Sequence, residues 1–362
     1  MAAIITSIEV KKFSIPLISP FVISLGPLYD AENVAVKITT DVGIVGYGEC
    51  SPFMSINGES AESAVVIAGF FRKILLGKDA LNIKQNIALM DSVIFFNNSI
   101  KSAFDMALYD IAAQNAGLPL YQFLGGKKNK TIETDYTVSV GEVAAMAKAA
   151  KEIQDKGFPA IKVKLGKNGE EDVLRIKEIR AAVGMDIPLR IDANQGWETG
   201  EAIATLNAMA GFNIQHCEEP INRKKFLELP KIKAASPIKI MADESCSDAM
   251  DAENLIQINA CDRFNIKMGK SGGIFKALEI VKHAEQHNIE IQIGAFLESR
   301  LAMTAFAHFA YCSDNIKYFD FDTALMFTSD PVVGGLQYYE NGRIEVPEAP
   351  GLGATFIPEI FE

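Results

Sequence analysis

The first third of the chain alternates apolar and polar residues and then changes to helical periodicity. The alternating stretches, rich in Val and Ile, are residues 4–15, 32–40 and 44–49. Such alternation is typical of half-buried strands, and the turn residues 41–43 indicate a hairpin. Helical patterns follow at residues 60–75, 84–95 and 99–115. Strands followed by helices predict an α+β domain over residues 1–126.

After residue 126 the pattern becomes short β-rich runs, each followed by an amphipathic helical stretch. Eight runs occur, at residues 133–140, 160–165, 188–192, 214–218, 238–243, 263–267, 290–294 and 317–322. Eight such units close a barrel. The predicted fold class is therefore α/β, a modified TIM (β/α) barrel over residues 127–327 with the N-terminal α+β unit as a capping domain. The Gly- and Pro-rich residues 328–362 are predicted to return to that capping domain.

Charged residues stand at the ends of these runs, where barrel enzymes place their active sites. Asp192, Glu218 and Asp243 end the third, fourth and fifth runs, 26 and 25 residues apart. Helix capping would explain any one of these residues. It is a poor explanation for carboxylates at the ends of three consecutive strands. Adjacent strands lie about 4.8 Å apart, so three carboxylates can meet at one cation. An all-oxygen set predicts one Mg²⁺ ion per subunit, with Mn²⁺ as a possible substitute.

Two lysines end runs on either side of the predicted metal strands. Lys164 ends the second run and Lys267 the sixth, half a turn apart around a barrel of eight. A substrate carboxylate on the metal would present its α-carbon with one ammonium group on each face. This geometry suits removal of a proton from one face and its return to the other, which is racemisation or epimerisation. Lys162 points to the same side of its strand as Lys164 and is predicted to support it.

The eighth run carries Asp320 and Asp322, which face the same way if they lie on a strand. They are too far around the barrel to join the metal site. Two unpaired carboxylates would attract a cation, such as the N-terminal ammonium of a dipeptide. A solvated strand end is the alternative interpretation.

Five motifs occur in barrel order: KVK at 162–164, IDANQGW at 191–197, CEEP at 217–220, ADES at 242–245 and IKMGKSGG at 266–273. Together they resemble the muconate lactonizing enzyme subgroup of the enolase superfamily, and the resemblance covers essentially the whole chain. It implies Mg²⁺ held by Asp192, Glu218 and Asp243. It also implies two acid/base catalysts, Lys164 and Lys267, with Lys162 supporting.

Two details refine the resemblance. Asp320-Phe321-Asp322 resembles the Asp-x-Asp motif of dipeptide epimerases. The family usually has Glu-Gln-Pro where this chain has Glu218-Glu219-Pro220. We take Glu218 as the ligand because the strand intervals are then nearly even, and we expect Glu219 to pair with another cation.

The sequence therefore predicts a Mg²⁺-dependent dipeptide epimerase. It would invert the α-carbon of the C-terminal residue by proton transfer between two lysines through an enediolate. The alternatives on the same machinery are N-acylamino-acid racemase, o-succinylbenzoate synthase and cycloisomerase. A non-enzymatic alternative is a silent metal-binding barrel.

The capping segments bear on side-chain preference. The resemblance implies that residues 19–31 form a loop over the barrel mouth, in which Ala-Glu epimerases carry an arginine. Gly26 stands at that position here, and no arginine occurs before Arg72. Phe53 in the second capping loop is apolar, so small or apolar dipeptides such as Ala-Ala are expected over Ala-Glu. Thr137 and Glu298 complete the predicted substrate contacts, and capping of the next helix is the alternative role of Glu298.

Composition excludes several other classes. The net charge of −11 makes the chain a poor partner for nucleic acid or an anionic membrane surface. No apolar stretch reaches the ~20 residues that span a bilayer. The five cysteines form no CxxC motif, which favours reduced thiols in a cytoplasmic protein. A homo-oligomer is compatible with this composition.

Overall fold

The N-terminal part of the chain contains an antiparallel sheet of three strands. The computed structural model describes residues 2–24 and 26–362. The strands are β1 (Ile5–Ile23), β2 (Gly26–Thr40) and β3 (Val45–Cys50), hydrogen-bonded in that order. The predicted turn joins β2 to β3, and Gly43 within it has a φ of +80°, which glycine adopts without strain.

The first two strands are longer than predicted and form one hairpin, in which the pairing is interrupted between Pro16 and Phe21. The expectation of a loop over residues 19–31 is wrong, because Phe21 pairs with Leu28 and Ile23 with Gly26. Leu25, inside that predicted loop, lies outside the described residues. The hairpin reaches the barrel, where Ser24 Oγ donates to the backbone carbonyl of Asn194 at 3.0 Å. A sheet hairpin therefore covers this side of the barrel mouth.

Five helices follow the sheet: α1 (Met54–Asn57), α2 (Ala61–Leu75), α3 (Ile83–Val93), α4 (Asn98–Ala116) and α5 (Leu120–Phe123). Helix α2 begins with a reciprocal cap, in which Ser60 Oγ accepts from Ser63 N and Ser63 Oγ accepts from Ser60 N. Its apolar face packs on the sheet and on α4, where Phe71 and Phe104 meet edge to face. Residues 99–113 of α4 are buried because the helix lies between the sheet and the barrel.

The barrel contains eight parallel strands in chain order, which confirms the predicted fold class. After the short β4 (Ile132–Glu133) they are β5 (Tyr136–Val138), β6 (Ile161–Lys164), β7 (Leu189–Asp192), β8 (Ile214–Glu218), β9 (Ile240–Ala242), β10 (Arg263–Ile266), β11 (Glu290–Ile293) and β12 (Ile316–Phe319). Asp135 N donates to Phe319 O at 3.3 Å and so joins the last strand to the first. The helices are α6 (Val143–Asp155), α7 (Gly169–Val183), α8 (Thr199–Ala208), α9 (Leu229–Ala235), α10 (Ala249–Gln257), α11 (Met268–Ser271), α12 (Ile274–Gln286) and α13 (Arg300–Phe309).

Two barrel strands differ from their predictions. The run at 133–140 is divided, because Thr134 and Asp135 turn the chain between β4 and β5. The last strand ends at Phe319, so Asp320 and Asp322 lie beyond it. There the backbone of Phe321 bonds to side chains instead of a strand: its N–H donates to Thr134 Oγ and its carbonyl accepts from Tyr338.

The C-terminal segment packs against the N-terminal sheet. Its strands are β13 (Val332–Gly334), β14 (Gln337–Tyr338), β15 (Arg343–Glu345) and β16 (Ala354–Phe356); β13 pairs with β16, and β14 and β15 extend β4. Phe356 meets Phe13 of β1 edge to face, with ring centroids 5.5 Å apart. The division of the chain at residues 126 and 327 stays a prediction.

The barrel strands are apolar on the outside and polar on the inside. Their outward residues pack under the helices, among them Val163, Ile191, Cys217, Phe264 and Ile291. Their inward residues are polar and buried, among them Lys162, Arg190, His216, Asn265 and Gln292. At the N-terminal end of the barrel, Arg190 and Arg263 both lie over the ring of Tyr318. The interior of the barrel, beneath the C-terminal ends of its strands, is therefore polar rather than apolar.

Two buried carboxylates attach the N-terminal sheet and helices to the barrel. Glu49 at the end of β3 accepts from Ser299 N at 2.7 Å, at the start of α13. Asp105 on α4 accepts from Ile274 N at 2.5 Å, at the start of α12. The first backbone N–H groups of a helix have no partner within it, so each hydrogen bond satisfies one of them and stabilises the interface. Burial raises the pKa of Glu49 to about 7 and that of Asp105 to about 8.

Across the described ranges, every helix is too short or too polar to cross a bilayer. The five cysteines are free thiols, and four of them are buried. Burial raises the pKa of Cys261 to about 12, so this thiol is unreactive at neutral pH.

Candidate active site

Three buried carboxylates meet at the C-terminal ends of neighbouring barrel strands. Asp192 ends β7, Glu218 ends β8, and Asp243 directly follows β9. The side chains offer oxygens that all lie within 4.8 Å of one another, and the three residues are completely buried. Hard divalent cations prefer all-oxygen ligand sets of this kind. The donor atoms present therefore fit Mg²⁺.

Two lysines flank the carboxylates from opposite sides of the barrel. Lys164 Nζ lies 2.6 Å from Asp192 Oδ2, and Lys267 Nζ lies 2.8 Å from Asp243 Oδ2. Their strands, β6 and β10, stand four places apart in the order of eight. Burial lowers the pKa of Lys267, but the carboxylates of Asp243 and Glu218 outweigh burial and the net direction is upward.

Lys162 lies one strand layer below Lys164 and connects several acidic groups. Its Nζ is 2.7 Å from Asp320 Oδ2, 3.0 Å from Glu218 Oε2 and 3.4 Å from Asp192 Oδ2. Burial lowers the pKa of Lys162, but these carboxylates together raise it well above its ordinary value. Lys162 is therefore a permanent positive charge beneath the cluster.

Asp320 and Asp322 both face the barrel mouth, but they are not two unpaired carboxylates as expected. Asp320 is paired with Lys162, so that expectation is wrong for Asp320. Asp322 Oδ2 accepts from the backbone N–H of Thr137 at 2.7 Å. Burial and the charge of Asp320 raise the pKa of Asp322 to about 7. Burial alone would raise the pKa of Asp320, but Lys162 and Lys164 bring it below its ordinary value.

A cavity between the hairpin and the barrel mouth joins these groups. Its polar side is lined by Thr137, Lys164, Asn194, Glu244, Lys267, Asp320, Asp322 and Thr323. Its apolar wall is formed by Phe21, Ile23, Leu28, Phe53, Ile56, Ala295, Phe296 and Leu297. The rings of Phe53 and Phe296 stack with centroids 5.8 Å apart. The cavity thus places an apolar surface directly above the two lysines.

The predicted substrate contacts separate into two groups. Thr137 and Phe53 line the cavity, whereas Gly26 and Glu298 are not among the described residues that do so. Gly26 lies at the hairpin tip with a φ of +127°, and a Cβ there would meet no atom within 4 Å. Glu298 is buried and its Oε2 accepts from Phe296 N at 2.6 Å. Burial raises the pKa of Glu298 to about 8.

Glu219 has a different environment from the one expected, since no cation pairs with it among the described residues. Its Oε2 accepts from Asp243 N at 2.7 Å and from Ser245 N at 3.1 Å, and its Oε1 accepts from Ser245 Oγ. Burial raises the pKa of Glu219 to about 7. Glu219 therefore holds the segment after β9 that carries Asp243.

Polar residues that were not predicted from the sequence surround the carboxylates. Asn265 and Gln292 donate to Glu218, and Lys270 Nζ lies 2.5 Å from Asp243 Oδ1. A signal for Asn265 and Gln292 was present, because polar residues at every second position interrupt strands that are otherwise apolar.

A capped barrel with lysines on both sides of a carboxylate cluster defines a class of acid/base enzymes. Residues 6–125 match the mandelate racemase / muconate lactonizing enzyme N-terminal domain, and residues 145–360 match the family described as enolase C-terminal domain-like. The chain belongs to the mandelate racemase / muconate lactonizing enzyme family of the enolase superfamily.

Relatives within this family narrow the class of enzyme. The D-Ala-D/L-Ala epimerase of Cytophaga hutchinsonii is 56% identical over 353 residues, which cover 98% of this chain and 96% of the relative. The L-Ala-D/L-Glu epimerase of Bacillus subtilis is 41% identical and covers 96% of both chains. A crystal structure of a dipeptide epimerase from C. hutchinsonii, with Mg and D-Ala-L-Val, has a TM-score of 0.98 at 55% identity and covers 99% of this chain and 97% of its own. These relatives are isomerases, which confirms the predicted enzyme class.

Proposed function

We propose that the protein is a Mg²⁺-dependent dipeptide epimerase that inverts the α-carbon of the C-terminal residue. The observation that carries the proposal is the position of Lys164 and Lys267 on opposite sides of one cavity, each against a carboxylate of the same cluster. The relatives support it, because the protein that is 56% identical is a D-Ala-D/L-Ala epimerase.

Asp192, Glu218 and Asp243 would hold one ion per subunit. Their burial and their convergent oxygens support this assignment. A bound Mg²⁺ supplies positive charge that stabilises the negative charge developing on the substrate carboxylate as the α-proton leaves. Mn²⁺ is expected to substitute, since it also accepts carboxylate oxygens.

The two lysines would move the proton. One lysine, as a neutral amine, accepts the α-proton on its own face of the substrate. The other lysine, as an ammonium group, donates a proton to the opposite face, and the configuration is inverted. The roles are exchanged for the other isomer. Lys162 stays protonated and offsets the repulsion among the carboxylates.

The N-terminal ammonium of the dipeptide would bind beside Asp322. Asp322 contacts a backbone N–H, whereas Asp320 is already neutralised by Lys162. A substrate ammonium would therefore be attracted chiefly by Asp322, with Asp320 and Thr137 nearby. This assigns the free amine as a recognition element that an N-acylated amino acid lacks.

The side chain of the C-terminal residue would meet the apolar wall. Phe21, Leu28 and Phe53 belong to that wall. The cations among the described lining residues are Lys164 and Lys267, which would serve proton transfer, and those residues include no arginine. An acidic side chain would lose its hydration there without gaining a counter-ion. Small or apolar dipeptides such as Ala-Ala are therefore the proposed substrates over Ala-Glu.

A dipeptide library in D₂O with Mg²⁺, analysed by mass spectrometry, tests the proposal. Uptake of deuterium at the α-carbon of the C-terminal residue, lost with EDTA, is the expected result. Exchange of N-acyl amino acids with no advantage for free dipeptides would favour an N-acylamino-acid racemase instead. Binding of metal without any exchange would indicate a barrel without catalytic activity.

A further inference from the structure

Two amide side chains hold the carboxylate of Glu218 from below. Asn265 on β10 donates from Nδ2 to Glu218 Oε1 at 2.9 Å, and Gln292 on β11 donates from Nε2 to Glu218 Oε2 at 3.1 Å. The three side chains are completely buried. Asn265 and Gln292 are direct neighbours in the parallel register of their strands. Each carboxylate oxygen therefore has its own donor, and two separate contacts restrict rotation of the group.

Neutral donors suit a carboxylate that must also bind a cation. Oε2 already lies 3.0 Å from Lys162 Nζ, whereas Oε1 has Asn265 as its hydrogen-bond donor among the described residues. A carboxylate oxygen can accept more than one contact, so a single amide leaves Oε1 able to meet an ion. A second lysine in place of Asn265 would compete with that ion electrostatically.

His216 on β8 is buried in the same polar interior as Gln292. Arg263 lies 3.0 Å from His216 Nδ1, and because arginine only donates, this nitrogen accepts and the ring proton sits on Nε2. His216 Nε2 and Gln292 Oε1 are both buried and have no hydrogen-bond partner among the described residues. The contact that orients the Gln292 side chain is therefore its hydrogen bond from Nε2 to Glu218.

We propose that Asn265 and Gln292 are positioning residues of the metal site, which orient the Glu218 carboxylate and thereby increase the affinity for a divalent cation. The inference rests on the metal site proposed above. Groups that orient metal ligands typically change metal affinity by about 10- to 100-fold when they are removed.

Metal binding measured directly tests the inference. The full-length protein is stripped with EDTA and titrated with Mn²⁺, and free Mn²⁺ is followed by electron paramagnetic resonance. Asn265→Leu and Gln292→Met should each bind Mn²⁺ about 10- to 100-fold more weakly than wild type. The matched control is Gln215→Met, because Gln215 Oε1 accepts from Arg190 at 3.0 Å on the same barrel without touching a predicted ligand in the described contacts. This control should bind Mn²⁺ as wild type does.

A second variant distinguishes weaker metal binding from loss of folding. Gln292→Asn keeps the amide but withdraws it from Glu218 by one methylene, and the same weakening is expected while thermal unfolding of the metal-free protein stays close to wild type. Unchanged Mn²⁺ affinity in folded Asn265 and Gln292 variants would overturn the inference. A wild-type protein that binds no Mn²⁺ or Mg²⁺ would instead overturn the metal site itself.

Discussion

Lys162 Nζ lies 2.7 Å from Asp320 Oδ2, an ion pair that joins strand β6 to the segment after β12. The same ammonium lies 3.0 Å from Glu218 Oε2, so one lysine connects the carboxylate cluster with the proposed amine site. Asp322 is left as the carboxylate of that site without a lysine or arginine partner among the described residues. The two aspartates of one motif therefore have different surroundings.

The first prediction concerns Asp322. Asp322→Asn should raise KM for free dipeptides by about 10- to 100-fold, because a charge-assisted hydrogen bond is worth ~1.5–3 kcal/mol. The measurement compares kcat/KM for Ala-Ala and N-acetyl-Ala-Ala in both proteins. Wild type should lose a similar factor on acetylation, and Asp322→Asn should barely distinguish the two substrates. Equal rates for both substrates in wild type would refute the amine site.

The second prediction concerns pH. Burial and Asp320 raise the pKa of Asp322 to about 7, so Asp322 loses its negative charge as the pH falls through 7. An α-amino group, with a pKa of about 7.7–8.0, stays charged over that range. The preference for the free dipeptide over the acetylated one should therefore decline between about pH 7 and pH 5. The ratio of the two kcat/KM values isolates this effect from titration of the lysines, and a ratio independent of pH would contradict it.

The third prediction concerns the lysines. Lys164→Ala and Lys267→Ala should each abolish epimerisation, because each lysine serves one face of the substrate. Each variant should still exchange the α-proton of one isomer in D₂O, and the two variants should favour opposite isomers. Proton NMR of L-Ala-L-Ala and L-Ala-D-Ala follows the exchange. Epimerisation near the wild-type rate in either variant would exclude the two-lysine mechanism.

The fourth prediction concerns Glu219. In Glu219→Gln, the carbonyl oxygen of the new amide can accept from Asp243 N and Ser245 N. The amide NH2 group can donate to Ser245 Oγ, because a hydroxyl group accepts hydrogen bonds as well as donating them. This variant should keep metal binding and activity. Glu219→Ala removes both acceptor oxygens and all three hydrogen bonds, and it should lower both thermal stability and metal affinity. Calorimetry of the two variants checks this, and severe loss in Glu219→Gln would show that the negative charge itself is required.

The fifth prediction concerns the side chain of the substrate. The apolar wall of Phe21, Leu28 and Phe53 favours Ala-Ala, and Ala-Glu should be turned over poorly. Ala-Lys is the informative third substrate, because Asp30 and Glu32 line a groove beside the hairpin tip. A series of kcat/KM values for the three dipeptides decides among them. A clear preference for Ala-Glu would require a basic residue that reaches the wall from elsewhere in the protein.

The carboxylate cluster and its flanking lysines could be predicted from the sequence because each of these residues stands at the end of a short apolar run. Strand order then places such residues together without any knowledge of side-chain contacts. The full length of the hairpin could not be predicted from the sequence, because Pro16, Pro20 and Pro27 interrupt the apolar–polar alternation in residues 16–31. The structure nevertheless continues the pairing to Ile23 and Gly26.

Contacts between distant residues could not be predicted in this way. The ion pair of Lys162 and Asp320 joins residues 158 positions apart, and nothing in either local pattern indicates it. The unpaired state expected for Asp320 was therefore wrong. Two donors to Glu219 could not be predicted for a similar reason, because they are backbone N–H groups of the segment after β9 and carry no signal in the sequence.

The hairpin of β1 and β2 also bears on how such an enzyme can diversify. Phe21, Ile23 and Leu28 lie on this one hairpin, whereas the lysines and carboxylates lie on barrel strands or directly after them. Substitutions within residues 21–28 would therefore change the proposed selectivity without altering the residues proposed to transfer the proton. For the same reason the hairpin is a natural unit for grafting between paralogues, with Ser24 and its contact to Asn194 retained as the point of attachment.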